Sequence, residues 1–392
     1  MKLIFDVSDK PKAGQLVVFA LQQMLAILAA TIAVPLIIGN GLTPAAAMFG
    51  AGVGTIVYIL FTKRKSPVFL GSSFAFLGSM AAAFAGGVSM QLGMLGLIVG
   101  AFLAGLVYVV IAIVVKFVGV GWLNKLMPAV VIGPTVAIIG LSLAGNAIGD
   151  LVKGDVTKQV TEYAVSTDSG TPEIIETVSN VPVGSSYVAL ICGLITLAVV
   201  MLCSTYGKKT LRLIPFIIGI LAGYAAAAIF TVIGNICDID ALKIVDFSVF
   251  SSYMLTDGSV SLKTFVSLPD FAFVSGLKGL KEFDFTYFAT IFVAYVPVAL
   301  VVFAEHVADH KNLSSIIDHD LLEEPGLTRT LLGDGVGSIA GALFGGCPNT
   351  TYGESVACVA ITGNASVVTI FAAAIGCMLC LLYTSPSPRD PK

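Results

Sequence analysis

Long apolar runs recur along almost the whole chain, and they limit the folds that it can adopt. A helix needs about 20 apolar residues to cross a bilayer, and no run alternates every second residue as a transmembrane β-barrel requires. Hydrophobic residues make up 57% of the 392 residues and charged residues only 11%, unlike a water-soluble domain. We therefore predict an all-α polytopic membrane protein in the lipid bilayer. Its eleven expected spans lie near residues 15–39, 46–62, 67–82, 91–116, 122–145, 185–204, 212–234, 285–309, 329–345, 347–362 and 365–383.

The distribution of basic residues predicts the orientation of the spans. The first run is longer than the apolar core of a cleavable signal peptide, so we expect it to remain as the first span. With a cytoplasmic N-terminus, the basic residues of the later loops fall on the inner side, as the positive-inside rule requires. They are Lys63, Arg64, Lys65, Lys116, Lys125, Lys208, Lys209 and Arg212. The net charge of -3 gives no indication of a nucleic-acid partner.

The third and tenth spans share an unusual composition. Their sequences, SPVFLGSSFAFLGSM and GGCPNTTYGESVACVAIT, are short, begin near a proline and carry small hydroxyl residues. Paired interrupted segments of this kind indicate inverted repeats whose broken helices meet near the middle of the bilayer. We expect seven spans in each repeat, so that eleven of fourteen spans are present.

Acidic residues within the apolar segments are the candidate functional groups. Glu305 and Asp309 lie four residues apart at the end of the eighth span and share one helix face. Acidic residues inside a membrane normally face a cavity, although both could instead be solvated at the cytoplasmic end of the helix. His306, His310 and His319 lie nearby, and we expect a solvated helix end there rather than a metal site. No residue pattern predicts a cofactor.

The NTTYGES segment of the tenth span predicts a binding site for a polar ligand. A break in a membrane helix leaves backbone groups that protein, water or ligand must satisfy. N–H groups near Phe74 and Gly353 can donate to carbonyl oxygens, and the carboxylates of Glu305 and Glu354 can accept from ring N–H groups. Phe74 and Tyr352 can pack against a ring. This set suits a flat neutral molecule such as a pyrimidine-dione.

Several segments together resemble the nucleobase/ascorbate transporter family, nucleobase cation symporter-2, and within it the bacterial uracil permeases. They are FLGSSFAF, GWLNKLMPAVVIG with IGLSLAG, VVFAEHVADH, DLLEEPGLTR and GGCPNTTYGES with VAIT, in the family's order. The resemblance implies fourteen spans in two inverted repeats, divided into a core and a gate domain. It places the core in residues 1–120 (spans 1–4) and 285–379 (spans 8–11), and part of the gate (spans 5–7) in residues 121–284. It also implies a multi-pass protein of the bacterial inner membrane and a homodimer.

The resemblance assigns roles to individual residues. It implies that Glu305 and Glu354 hydrogen-bond the nucleobase, helped by the backbone at Phe74 and Gly353. The neighbours Ser73 and Tyr352 complete the substrate site, and Glu354 favours uracil over purines. We expect Glu305, Asp309 or Glu354 to carry the coupled proton.

The chain departs from the family pattern at three places. A uracil permease used for comparison has histidine where this chain has Asp309, and the first span has Gln22-Gln23 in place of Gln-His. Residues 380–392, which include CLLYTSPSPRD, resemble a translated sequencing adapter, so we expect a non-native tail and a truncated chain. A chain ending near Leu379 is not expected to complete a transport cycle, because half of the gate is absent.

Three other functions stay open at this point. Xanthine or another purine is the nearest alternative substrate, because such permeases belong to the same family. An anion exchanger or ion channel on the same inverted-repeat fold is a second alternative, which acidic residues at the site disfavour. A membrane-embedded enzyme would need a nucleophile with a base or a metal cluster, and we find no such pattern, so we expect a protein without enzymatic activity.

Overall fold

A computed structural model describes residues 3–119, 121, 129–154, 156–166, 173–208, 211, 215–247 and 270–379. These residues form mainly α-helices, which confirms the predicted all-α class. The helices are α1 (Ala13–Ile38), α2 (Pro44–Phe61), α3 (Leu77–Ala83), α4 (Met90–Val118), α5 (Ala129–Leu151), α6 (Ser186–Tyr206), α7 (Pro215–Ile236), α8 (Ala272–Gly276), α9 (Phe285–Ile317), α10 (Leu327–Gly345), α11 (Gly353–Thr362) and α12 (Val367–Leu379). The strands are β1 (Leu70–Ser72), β2 (Thr157–Ser166), β3 (Glu173–Pro182) and β4 (Asn349–Thr351).

The helices agree with the predicted spans. Each of the eleven predicted segments contains a helix within its described part, while residues 122–128, 212–214 and 380–383 of three segments lie outside the described residues. Six of the described helices, α1, α2, α4, α6, α7 and α9, are long and apolar enough to cross a membrane. The protein is therefore a multi-pass membrane protein. The third and tenth spans differ, because each divides into a short strand followed by a short helix.

The chain divides into two compact units. Unit 1 comprises residues 1–141 and 260–392, and unit 2 comprises residues 142–259. In unit 2, β2 and β3 pair as an antiparallel hairpin. Helices α6 and α7 pack closely there, since the backbone of Gly219 lies against Val200 and that of Gly223 against Thr196. The predicted core and gate boundaries remain predictions.

Close packing of α2 against α10 forms the centre of unit 1. Glycines recur every fourth residue on the facing sides of both helices, which allows the backbones to approach. They are Gly50 and Gly54 in α2, and Gly333, Gly337, Gly341 and Gly345 in α10. An ideal Cβ on Gly54 would lie 2.7 Å from the Gly337 carbonyl oxygen, closer than real atoms approach. The two helices therefore form a tightly packed base for the segment that follows α10.

The N-terminal segment anchors the connection between α11 and α12. The Ile4 N–H donates to the Gly363 carbonyl at 2.7 Å, and the Val367 N–H donates to the Val7 carbonyl at 3.1 Å. The Ser366 hydroxyl donates to the Asp9 carbonyl at 2.6 Å. These bonds satisfy backbone groups that the end of α11 and the start of α12 would otherwise leave unpaired, so they fix the connection between the two helices.

Candidate functional site

The two interrupted spans meet in a short antiparallel pairing of β1 with β4. Leu70 lies opposite Thr351, Gly71 opposite Thr350, and Ser72 opposite Asn349. The pairing extends beyond the strands, because the Ser73 N–H donates to the Pro348 carbonyl at 2.9 Å. We call this paired region, residues 70–73 and 348–351, the crossing. The backbone groups that each broken helix leaves unpaired form hydrogen bonds with one another there, as burial in apolar surroundings requires.

Helices on both sides support this crossing. The hydroxyl of Thr55 in α2 accepts from the Leu70 N–H at 3.0 Å. The hydroxyl of Ser355 in α11 accepts from the Phe69 N–H at 3.1 Å and from the Gln23 side-chain amide of α1. Both hydroxyl residues are fully buried. Side chains from three helices therefore hold the unwound segments in place.

A helix begins immediately after each strand. A 3₁₀ turn (Phe74–Phe76) leads into α3, and α11 begins at Gly353 without a side-chain cap at Tyr352. Among the described residues, no acceptor contacts the N–H groups of Phe74, Gly353 or Glu354. Such first-turn N–H groups carry partial positive charge and attract electronegative ligand atoms. Unpaired N–H donors therefore lie next to the crossing at Phe74 and at Gly353 and Glu354. The sequence predicted backbone donors near Phe74 and Gly353.

Carboxylates surround these donors. Glu305 is partly buried and Glu354 is exposed, and neither forms a hydrogen bond with another described residue. Asp309 accepts a hydrogen bond from the Thr351 hydroxyl of β4 at 3.0 Å. Its other oxygen lies 3.8 Å from the position that a Cβ on Gly353 would occupy. The charges of Asp309 and Glu354 both act on Glu305, so the structure brings the three predicted acids together.

Tyr352 and Ser73 lie at the crossing and are almost fully buried. Tyr352 is only 5% exposed, and its hydroxyl donates to the Ser72 carbonyl at 2.5 Å. Its ring packs directly on Gly71, where any side chain would collide with it. Ser73 is 2% exposed and caps the 3₁₀ turn through its backbone alone. Phe74 is partly buried against the neighbouring apolar core.

The predicted solvated environment of His306 and His310 is wrong, because both side chains are completely buried. His306 Nδ1 lies 2.6 Å from Asp334 Oδ2. His310 Nε2 lies 2.6 Å from the hydroxyl of Tyr58, and its Nδ1 lies 2.8 Å from the His306 carbonyl. Side chains from α2, α4 and α10 cover this face of α9 and remove both histidines from water; they are Tyr58, Tyr108, Thr330 and Asp334. His319 is exposed.

The hydrogen bonds of His310 determine which nitrogen of its neutral ring carries the proton. A backbone carbonyl can only accept, so Nδ1 must donate to the His306 carbonyl. Nε2 of the neutral ring then accepts from the Tyr58 hydroxyl, which lies 2.7 Å from Ser66. This arrangement satisfies a neutral His310 at both nitrogens, and it fastens α9 to α2. We assign His310 a structural role.

Asp334 in α10 is a buried acid that the sequence analysis did not identify. Its side chain is 0% exposed, and it lies in the segment LLGDGVG. An acidic residue within a predicted span is by itself a signal of function. The surrounding glycines make this span less hydrophobic, so Asp334 does not stand out there as a charged residue in an apolar sequence.

The site combines backbone N–H donors with carboxylate acceptors. No group of three or more histidine, cysteine, aspartate or glutamate residues with metal-binding geometry occurs within the described residues. The crossing instead presents free N–H donors and free carboxylate acceptors side by side. Such a combination can satisfy both kinds of hydrogen-bonding group on one small molecule.

The sequence is similar to known transport proteins. The chain matches the model of a family described as the permease family, over residues 14–178 and 169–386. It is 33% identical over 397 residues to a uracil permease of Bacillus caldolyticus, covering 99% of this chain and 78% of that protein. It is 32% identical to a uracil permease of Bacillus subtilis (98% and 78% covered) and 30% identical to one of Escherichia coli (97% and 76% covered).

Proposed function

Because this chain belongs to the nucleobase/ascorbate transporter family of permeases, we propose that it imports uracil together with protons across the bacterial inner membrane. A permease moves its substrate without chemical conversion, so the protein is a transporter and not an enzyme. The relatives named uracil permease support the choice of substrate.

The observation that carries this proposal is the pairing of free donors with free acceptors at the crossing. Uracil is a flat neutral ring with two carbonyl oxygens and two N–H groups. The N–H groups of Phe74 and Gly353 are available for its carbonyl oxygens, and the carboxylates of Glu305 and Glu354 for its N–H groups. Charge-assisted bonds to a carboxylate are roughly twice as strong as neutral ones, so the acids contribute most of the affinity.

The aromatic residues support recognition less directly. Phe74 is the better candidate for contact with the ring, because part of its side chain remains accessible. The buried hydroxyl of Tyr352 already donates to the Ser72 carbonyl, so we propose that this residue holds the paired strands in place and does not contact the substrate. Ser73 contributes through the position of its backbone at the start of the 3₁₀ turn.

Proton coupling follows from the charge of the same acids. Uracil is neutral, so bound uracil cannot compensate the negative charge of three carboxylates that move within a membrane. Glu305, Asp309 and Glu354 influence one another electrostatically, and placing like charges together in apolar surroundings is costly. Uptake of one proton by this set lowers that cost, and we propose that it accompanies substrate binding.

The proposed transport cycle requires one body to move against another. We propose that the predicted core, residues 1–120 and 285–379, carries the site past the predicted gate, residues 121–284, in an inverted-repeat arrangement. The N-terminus is cytoplasmic in this proposal, in keeping with the distribution of Lys and Arg. We propose that association in a homodimer keeps the gate fixed while the core moves.

Uptake into proteoliposomes tests the proposal. A purified protein with all fourteen expected spans is reconstituted, an inward proton gradient is applied, and entry of radiolabelled uracil is measured against competing unlabelled uracil, xanthine and sulfate. We expect competition by uracil alone and loss of accumulation when a protonophore collapses the gradient. Competition by xanthine in place of uracil would assign a purine permease, and competition by sulfate an anion exchanger.

A further inference from the structure

A second polar centre lies in unit 1 between α9 and α10. His306 Nδ1 and Asp334 Oδ2 are 2.6 Å apart, and both side chains are 0% exposed. The other ring nitrogen, Nε2, lies 3.1 Å from the hydroxyl of Thr330. That hydroxyl is also 3.1 Å from the Leu327 carbonyl. The two ring nitrogens of His306 thus both contact side chains of α10.

The neighbouring acceptor determines where the protons lie. A threonine hydroxyl has one hydrogen, and a backbone carbonyl can only accept. When Thr330 donates to Leu327, His306 Nε2 must therefore donate to Thr330. The bond between Nδ1 and Asp334 then holds one further proton, located either on the ring or on the carboxyl group. In both cases His306 and Asp334 have no net charge.

The opposite arrangement leaves a buried charge without compensation. If Thr330 donated to Nε2, the single ring proton of His306 would lie on Nδ1, and Asp334 would be either a carboxylate or an acid whose proton on Oδ1 has no acceptor. The second carboxyl oxygen, Oδ1, has no partner among the described residues. A buried carboxylate with a single hydrogen bond is much more costly than a neutral pair, so the arrangement that shares a proton is favoured.

Other groups around the pair make its neutrality important. The ring of Tyr108 from α4 lies 6.0 Å from that of His306, and the ring of His310 stacks at 4.1 Å. Tyr108 and the neutral His310 bring no compensating positive charge. Glu305 precedes His306 in the chain, and a charge on Asp334 acts on it, as does the charge of Asp309. A negatively charged Asp334 would add repulsion to an already acidic site.

We propose that Asp334 is a positioning residue that acts through His306. The two bonds from α10 fix the rotation of α9 at this turn and thereby aim Glu305 and Asp309 towards the crossing. The shared proton keeps the pair neutral, so it remains in place while the substrate-binding acids exchange their proton. This inference rests on the proposed function, because its main effect is on uracil binding.

The substitutions Asp334→Asn and Asp334→Ala separate position from charge. An asparagine amide can donate to Nδ1 of the neutral ring and has nearly the same shape as a carboxylic acid. Alanine leaves Nδ1 without a partner and opens a gap. Thr330→Val removes the contact on the other side of the ring and provides a second test if Asp334→Ala does not fold.

Uracil binding to each purified, folded variant is measured by calorimetry from pH 5.5 to 8. We expect Asp334→Asn to weaken binding less than threefold with an unchanged pH profile, Asp334→Ala to weaken it more than tenfold, and Thr330→Val at least threefold. The inference is overturned if a folded Asp334→Asn variant binds as poorly as Asp334→Ala, or if its pH profile shifts. In the second case the pair itself would hold the coupled proton.

Failure of the proposed function gives a different result. It would appear as absence of uracil binding by the unchanged protein, whatever residue occupies position 334. Thermal unfolding then tests the pair without substrate. Asp334→Asn should unfold close to the unchanged protein and Asp334→Ala several degrees lower, whereas equal values for the two variants would refute the positioning role.

Discussion

A single methyl group at Gly341 should disrupt the base of the binding site. The side-chain amide of Asn349, in β4, donates to the Gly50 carbonyl of α2 at 2.9 Å. A Cβ on Gly341 would overlap that amide, and the backbones of α2 and α10 are too close for either helix to retreat. Gly341→Ala must therefore move Asn349 and with it the strand that carries Thr351.

The expected loss of stability follows from three contributions. Overpacking costs about 1 to 3 kcal/mol. A buried amide and carbonyl left unpaired cost about another 1 to 3 kcal/mol. Alanine has a higher helix propensity than glycine, which offsets about 1 kcal/mol of this loss of stability. The free energy of unfolding should therefore fall by about 1 to 5 kcal/mol, and uracil affinity should fall with it.

Gly78→Ala is the matched control. Gly78 also lies in a helix of unit 1, α3, but no atom of another described segment lies within 4 Å of an added Cβ. Thermal unfolding in detergent and calorimetric uracil binding are compared for both variants. We expect Gly78→Ala to match or slightly exceed the unchanged protein. A Gly341→Ala variant with unchanged unfolding temperature and affinity would refute the packing account of the crossing.

Three further substitutions test individual contacts. Ser355→Ala removes the acceptor of the Gln23 amide and should lower the free energy of unfolding by about 1 to 3 kcal/mol in thermal unfolding; Ser355→Thr, which retains a hydroxyl, should lose less. Tyr352→Phe should lower the free energy of unfolding by about 0.5 to 1.5 kcal/mol with little change in calorimetric uracil affinity. A large loss of affinity would indicate that Tyr352 contacts the substrate directly. Glu305→Ala should abolish uracil binding in calorimetry, whereas Glu323→Ala, in the segment between α9 and α10, should not; retained binding in Glu305→Ala would show that the site lies elsewhere.

Much of the fold was predictable because membrane helices follow simple rules. Long apolar runs must form helices in a bilayer, and this constraint located a helix in every predicted span. The interruptions near Phe74 and Gly353 were also visible, since hydroxyl residues and glycine disrupt otherwise apolar segments. The direct pairing of β1 with β4 was not, because it depends on how distant spans pack.

The site was predictable in its acids but not in their surroundings. Glu305, Asp309 and Glu354 are conspicuous as carboxylates within apolar sequence. The environment of His306 was mistaken because local sequence cannot reveal which helix packs against a given face. Asp334 makes the same point, since its partner lies 28 residues away in the chain and only the packing of α10 on α9 brings them together.

The central claim is that the carboxylates at the crossing accept hydrogen bonds from uracil, and calorimetry of Glu354→Gln tests it most directly. Glutamine keeps the shape of Glu354 but replaces a charged acceptor with a mixed donor and acceptor, so binding should weaken by at least tenfold, since charge-assisted bonds contribute about 1.5 to 3 kcal/mol. Glu323→Gln is the control for loss of one negative charge outside the site. Unchanged uracil affinity in a folded Glu354→Gln variant would contradict the account.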